Sequence, residues 1–134
     1  MKPQFIIGAA SSGSGKTTFT MGLLRALAHR GMRVQPYKCG PDYIDTQFHS
    51  LASKQVSVNL DTWLASEEHV RSLYHSYGKD ADVCTVEGVM GLYDGYSGMK
   101  GSSAAMAALL DIPVILLVNV RSTAYSVAPL ISGF

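Results

Sequence analysis

One stretch constrains this chain more than any other: Gly8-Ala-Ala-Ser-Ser-Gly-Ser-Gly-Lys-Thr-Thr18. A short apolar run, Phe5-Ile6-Ile7, precedes it. A helical pattern follows, with Phe19, Leu23, Leu24, Leu27 and Ala28 at helix spacing and Gly31 suited to the helix end. Strand, glycine-rich turn and helix form a setting in which backbone N–H groups cradle phosphate oxygens. The pattern therefore predicts a P-loop in which Ser12, Gly13, Ser14, Gly15, Lys16, Thr17 and Thr18 surround the phosphates of a nucleotide. Gly13 and Gly15 can take positive φ at no steric cost. Lys16 would reach the β- and γ-phosphates, and the Thr17 hydroxyl would ligate Mg²⁺. The match to G-x-x-x-x-G-K-[ST] is a variant, because Ala10 stands where the first glycine is required and Gly8 lies two residues earlier.

The 134 residues suffice for one domain with a real core, and 47% hydrophobic against 16% charged residues excludes a disordered chain. A net charge of +1 gives no global reason to expect nucleic acid or an anionic membrane as partner. No apolar run approaches a membrane span. Met1-Lys-Pro-Gln leads straight into the first strand without a signal-peptide pattern, so a cytoplasmic location is expected. Cys39 and Cys84 lack metal-site spacing and read as reduced, buried thiols.

Strands and helices then alternate. Arg33–Lys38 reads as a strand that Pro36 should end early or confine near an edge. Phe48, His49, Leu51 and Ala52 suggest a short helix, and Asn59-Leu-Asp61 a turn. Ser66 is a candidate N-cap for a helix whose buried stripe is Val70, Leu73, Tyr74 and Tyr77 and which Gly78 ends. Asp82–Glu87 reads as a strand running into a glycine-punctuated loop, Gly88–Gly95. Ser102 and Ser103 offer caps for a helix to Leu110. Val114–Val118, apolar on both faces, reads as a central parallel strand, and a last helix is expected from about Thr123. The predicted fold class is α/β, a P-loop NTPase-type three-layer sandwich with a mainly parallel sheet that is incomplete at the C-terminus.

Ligands in such sheets bind outside the C-terminal strand ends. That rule gathers the loops at 12–18, 38–45 and 87–94 along one edge. Glu87 ends an apolar strand, where a P-loop enzyme places the acid that contacts metal or water. Asp42, Asp45 and Asp94 add carboxylates, although Pro41-Asp42 and Asp94-Gly95 are also ordinary turn dipeptides. Lys38 could counter these charges or bind a substrate carboxylate; a solvated strand-end lysine is the other reading. Tyr37, Tyr43, Tyr93 and Tyr96 could wall a large flat ligand or serve as core and rim aromatics.

Gly40-Pro-Asp-Tyr-Ile-Asp45 and Val86-Glu-Gly-Val-Met-Gly-Leu-Tyr-Asp-Gly95, together with the P-loop variant, resemble the cobyrinic acid a,c-diamide synthase family over essentially the whole chain. The resemblance implies amidation of the a and c acetate carboxylates of cobyrinic acid in cobalamin biosynthesis, with ATP, Mg²⁺ and glutamine, through an acyl phosphate. It implies that Thr17, Asp45 and Glu87 hold the metal and that Lys16, Asp42, Asp45 and Asp94 are catalytic. Lys38, Tyr43 and Tyr93 are the candidate substrate contacts. Residues 1–134 would be the N-terminal part of a dethiobiotin-synthetase-like domain, inactive alone, with ammonia supplied by a glutaminase domain outside this chain. An unfinished sheet edge predicts a homodimer or swapped assembly. The chain departs from the family at Asn119-Val-Arg-Ser122, where Val-Asp-(small) is common. Rival readings are amidation of hydrogenobyrinic acid or nickel-sirohydrochlorin, dethiobiotin synthetase itself, and a partition-type switch ATPase. Ser11 disfavours the last, which usually carries an extra lysine there.

Overall fold

A computed structural model describes residues 1–134. Five parallel strands form one sheet in the order β3-β2-β4-β1-β5. They are β1 (Gln4–Ala9), β2 (Val34–Cys39), β3 (Val58–Leu60), β4 (Val83–Glu87) and β5 (Val114–Leu117). The helices between and after them are α1 (Lys16–His29), α2 (Asp45–Ser53), α3 (Glu67–Gly78), α4 (Ser103–Leu110) and α5 (Val127–Ser132). The α/β three-layer expectation holds.

Alternation along the strands builds two cores. Ile6, Tyr37, Cys39, Cys84 and Val86 point to one face, where Val70 and Tyr74 of α3 and Met106 and Ala107 of α4 cover them. Val34 and Val83 point to the other face and pack on Leu24 of α1 and Ala52 of α2. Tyr37 is fully buried and its hydroxyl donates to the Tyr74 carbonyl at 2.6 Å, so it is a core residue and not a ligand wall. Ser66 and Ser102 cap α3 and α4 by accepting from His69 N–H and Ala105 N–H.

Several sequence expectations need correction. Pro36 does not end β2, which runs on to Cys39, but the expectation that it lies near an edge holds: β2 is next to the edge strand β3, which pairs only with Tyr37–Cys39, so the proline lies just before that pairing begins. Asn59 and Leu60 belong to β3, leaving only Asp61 to the turn. Within these residues β5 borders the sheet and pairs with β1 alone, with Val114 and Ile115 exposed by more than a third. Phe19 and Tyr77 lie at the surface, and the last helix begins at Val127. Gly8 is a packing glycine: a Cβ there would stand 2.9 Å from Leu92 Cδ1. No helix is long and apolar enough to cross a membrane.

Cys39 and Cys84 are both buried, at 1% and 2% exposure. Burial pushes the Cys39 thiol up to about 12 and raises Cys84 as well. Both should resist a thiol reagent in the folded protein and react together once denaturant unfolds it. Fast labelling of either in native buffer would contradict this packing.

Candidate functional site

The period of two in β2 and β4 decides what lies between the P-loop and the sheet. Lys38 follows Val34 by four residues and Glu87 follows Val83 by four, so both side chains face α1 and α2. The strand register then sets Lys38 directly beside Glu87. Both are almost completely buried. Lys38 Nζ donates to Asp45 Oδ2 at 2.8 Å and to the Gly88 carbonyl at 3.1 Å. It lies 3.5 Å from Glu87 Oε1 and 3.9 Å from Asp42 Oδ2. Thr17, in the first turn of α1, donates to Glu87 Oε1 at 2.8 Å, with Asp45 Oδ2 3.3 Å away.

Opposite charges keep these groups ionised. Burial pulls the Lys38 ammonium down, but Glu87, then Asp45 and Asp42, outweigh it and hold the ammonium above its ordinary range. Burial pushes the Glu87 carboxyl up, yet His49, Lys38 and Thr17 together hold it below the usual range. For Lys16, burial and the charge of Lys38 lower the ammonium. Burial raises the Asp42 carboxyl, but the backbone N–H groups of Asp45 and Ile44, and then Lys38, bring it down overall.

The P-loop has the backbone its sequence predicts. Gly13 and Gly15 have φ of +74° and +90° with open space around each, so conformation rather than crowding demands glycine. Ser11 and Ser14 hydroxyls meet at 3.1 Å; Ser12 and Thr18 are exposed. Lys16 Nζ donates to the Met90 carbonyl at 2.7 Å. Met90 itself sits at φ +47°, an uncommon conformation for a long side chain. The loop after β4 is pinned on both flanks. Gly88 N–H and Leu92 N–H donate to the carbonyls of Ile7 and Ala9 at 2.8 Å each, and the Ser103 hydroxyl accepts from Val89 N–H at 2.9 Å.

The structure thus brings Lys16, Thr17, Lys38, Asp42, Asp45 and Glu87 together. For Asp42 both sequence readings coexist: Oδ1 accepts from Ile44 N–H at 2.8 Å and Asp45 N–H at 3.0 Å as a turn former, while Oδ2 faces Lys38. Asp94 is exposed and closes its own turn through Gly91 N–H at 3.1 Å. Tyr43 is exposed, and the Tyr93 hydroxyl bonds the Phe134 carbonyl while its ring stacks on Phe134. Neither hydroxyl bonds a residue of the cluster.

Sequence reasoning missed His49. Its Nε2 hydrogen-bonds Glu87 Oε2, and its Nδ1 lies 3.2 Å from Ser57 Oγ. It is fully buried. The available signal was its spacing: His49 stands one turn after Asp45, on the same face of α2. By holding Oε2, His49 leaves Oε1 for Thr17 and Lys38.

Thr17 Oγ1, Asp45 Oδ2 and Glu87 Oε1 are three hard oxygens at the start of α1. No group of three or more His, Cys, Asp and Glu side chains forms an all-protein metal cage. Few carboxylates with a hydroxyl suit a Mg²⁺ ion that shares its ligands with phosphates and waters, so the donor set fits that ion.

Replacing Lys38 by Met would leave Glu87 and Asp45 without their cation and should destabilise the fold by about 3–5 kcal/mol. In the unaltered protein, Glu87's contribution is complete above its ordinary value of 4.5 and is lost as pH falls below it. Lys38's is complete below 10.5 and lost as pH rises past it. Without Lys38 the Glu87 carboxyl rises towards or past its ordinary value, so less stability is lost as pH falls and the variant's acid limb should be shallower, its deficit being largest near neutral pH. Urea midpoints against pH for both proteins test this; superimposable acid limbs would refute it.

Comparisons with known proteins follow the same lines. The cobyrinate a,c-diamide synthase of Streptococcus sanguinis is 50% identical over 98% of this chain. That of Dehalococcoides mccartyi strain CBDB1 is 49% identical over the same share. The hydrogenobyrinate a,c-diamide synthase of Streptomyces coelicolor is 48% identical, also over 98%. The chain spans 28–30% of the length of these curated relatives. In fold it is similar to the signal recognition particle receptor FtsY of Elizabethkingia anophelis in complex with GDP, with a TM-score of 0.55 and 17% identity over 87% of this chain and 40% of that one. A family model described as the CobQ/CobB/MinD/ParA nucleotide binding domain matches residues 5–127, and to that family this chain belongs.

Proposed function

We propose that this chain is the nucleotide-binding part of an enzyme that amidates the a and c acetate carboxylates of cobyrinic acid, using ATP and glutamine. One observation carries the reading. The segments that resemble the synthase family, Gly8–Thr18, Gly40–Asp45 and Val86–Gly95, meet at one sheet edge, and Lys38, Thr17, Asp45 and Glu87 are in mutual contact there. The relatives' names supply the substrate class. Their greater length supports a further domain that releases ammonia from glutamine, and further strands against the exposed edge of β5.

A carboxylate resists amidation because its oxide is a poor leaving group. A carboxylate oxygen of the substrate takes the γ-phosphoryl group and ADP departs. Ammonia then adds to the carbonyl carbon, phosphate leaves, and a proton is released. Magnesium bound with the nucleotide would neutralise charge on the β- and γ-phosphate oxygens. Lys16 would exchange the Met90 carbonyl for those phosphates. Thr17, Asp45 and Glu87 would hold the metal, with Lys38 keeping the two carboxylates from repelling one another. Asp42 and Asp94 would orient the substrate carboxylate or ammonia. Hydrogenobyrinic acid is the second reading, favoured by the Streptomyces coelicolor relative.

The full-length protein carrying this segment, given Mg-ATP, glutamine and cobyrinic acid, should add two amides in succession, followed by substrate mass. Conversion of hydrogenobyrinic acid alone would move the reading to the cobalt-free substrate. ATP turnover without amidation of any tetrapyrrole would overturn it. Replacing Asp94 by Asn should cut amidation by at least about tenfold while ATP affinity stays within about twofold. Equal loss of both would count against its assigned role.

A further inference from the structure

A pocket of about 350 Å³ opens beside the charged cluster, among the loops that follow β2, β3 and β4. Pro41, Leu60, Trp63, Met90, Tyr96 and Met106 supply its apolar walls, and no residue of the P-loop lines it. At its mouth Trp63 and Tyr96 meet edge to face, with centroids 4.9 Å apart and ring planes at 70°. Both keep large areas in water, at 71% and 48% exposure. Exposed paired aromatics at the rim of an apolar recess mark a binding surface.

The pocket is held in shape. Tyr96 sits in a tight loop in which Gly95 N–H donates to the Gly98 carbonyl at 2.9 Å and Tyr96 N–H to the Lys100 carbonyl at 3.0 Å. The Tyr96 ring lies against Gly101, where a Cβ would come within 2.4 Å of it. Asp61 Oδ1 accepts from Trp63 N–H at 2.9 Å and so fixes the turn that presents the indole. The other Asp61 oxygen is buried without a partner.

Two walls also belong to the charged site. Pro41 directly precedes Asp42, and the Met90 carbonyl holds Lys16 Nζ. The pocket and the charged cluster therefore share a wall. Asp61 lines the same pocket, so a carboxylate arm is disfavoured beside it and favoured beside a lysine.

From this we infer that the pocket seats one apolar edge of the flat tetrapyrrole ring on Trp63 and Tyr96, with an acetate arm directed to the Lys16–Lys38 cluster. This rests on the amidation reading above. The volume is too small to enclose a macrocycle, so the ring lies partly in the open, against the aromatic pair. Trp63 and Tyr96 are specificity residues that touch substrate and not nucleotide.

The test uses the full-length protein carrying this segment, with Trp63→Ala, Trp63→Phe, Tyr96→Ala and Gly101→Ala variants. KM for cobyrinic acid and for ATP is measured separately, and binding of cobyrinic acid is read by equilibrium dialysis. Each alanine variant at an aromatic position should weaken tetrapyrrole binding roughly tenfold. The Trp63→Phe variant should recover most of it, and KM for ATP should stay unchanged. Gly101→Ala should behave like Tyr96→Ala because it displaces the same ring. Unchanged tetrapyrrole affinity in these variants, or an equal rise in KM for ATP, would overturn the pocket while leaving the amidation reading intact. Failure of the unaltered protein to bind or amidate any tetrapyrrole would overturn both.

Discussion

Everything at the working edge of this sheet depends on one buried ion pair, Lys38 with Glu87, made between adjacent parallel strands. The pair would be too costly to bury alone. It persists because each partner has further company: Asp45 and the Gly88 carbonyl for the lysine, Thr17 and His49 for the glutamate. Those partners come from α1, α2 and the loop after β4. The ion pair therefore ties the phosphate-binding turn, the aspartate loop and the glycine loop into one unit. Local unfolding of any of the three would expose charges that the other two have buried.

Around that unit the backbone is fastened more than the side chains require. The loop after β4 hangs from the carbonyls of β1 and from Ser103. The loop after β2 is fastened by Asn59, whose amide donates to the carbonyls of Gly40 and Asp42 at 2.7 and 2.9 Å. Placing acids within hydrogen-bond reach of one another needs such bracing, since repulsion would otherwise spread the loops.

Much of this was readable from residues alone, where the signal was local. The P-loop glycines, the serine caps and the strand that ends in Glu87 each declare themselves within a few residues. The pairing of Lys38 with Glu87 needed register, which no local pattern gives. His49 was hidden because α2 buries His49, Ala52 and Ser53 while Phe48 and Leu51 face water, the reverse of a hydrophobic reading. Trp63 was hidden because β3 is only three residues long and reads as a turn, so the loop that presents the indole had no strand to follow. The two-faced apolarity of β5 signals burial without naming the neighbour that supplies it, and within these residues only β1 pairs with it.

The left-handed Met90 has a consequence for selectivity. Its carbonyl takes one of the three N–H donors of the Lys16 ammonium and leaves two for an incoming acceptor. An anionic oxygen profits most from those two, because charge-assisted bonds are roughly twice as strong as neutral ones. The loop thus parks the cation before any ligand arrives, and a side chain already held in place has less freedom to lose on binding.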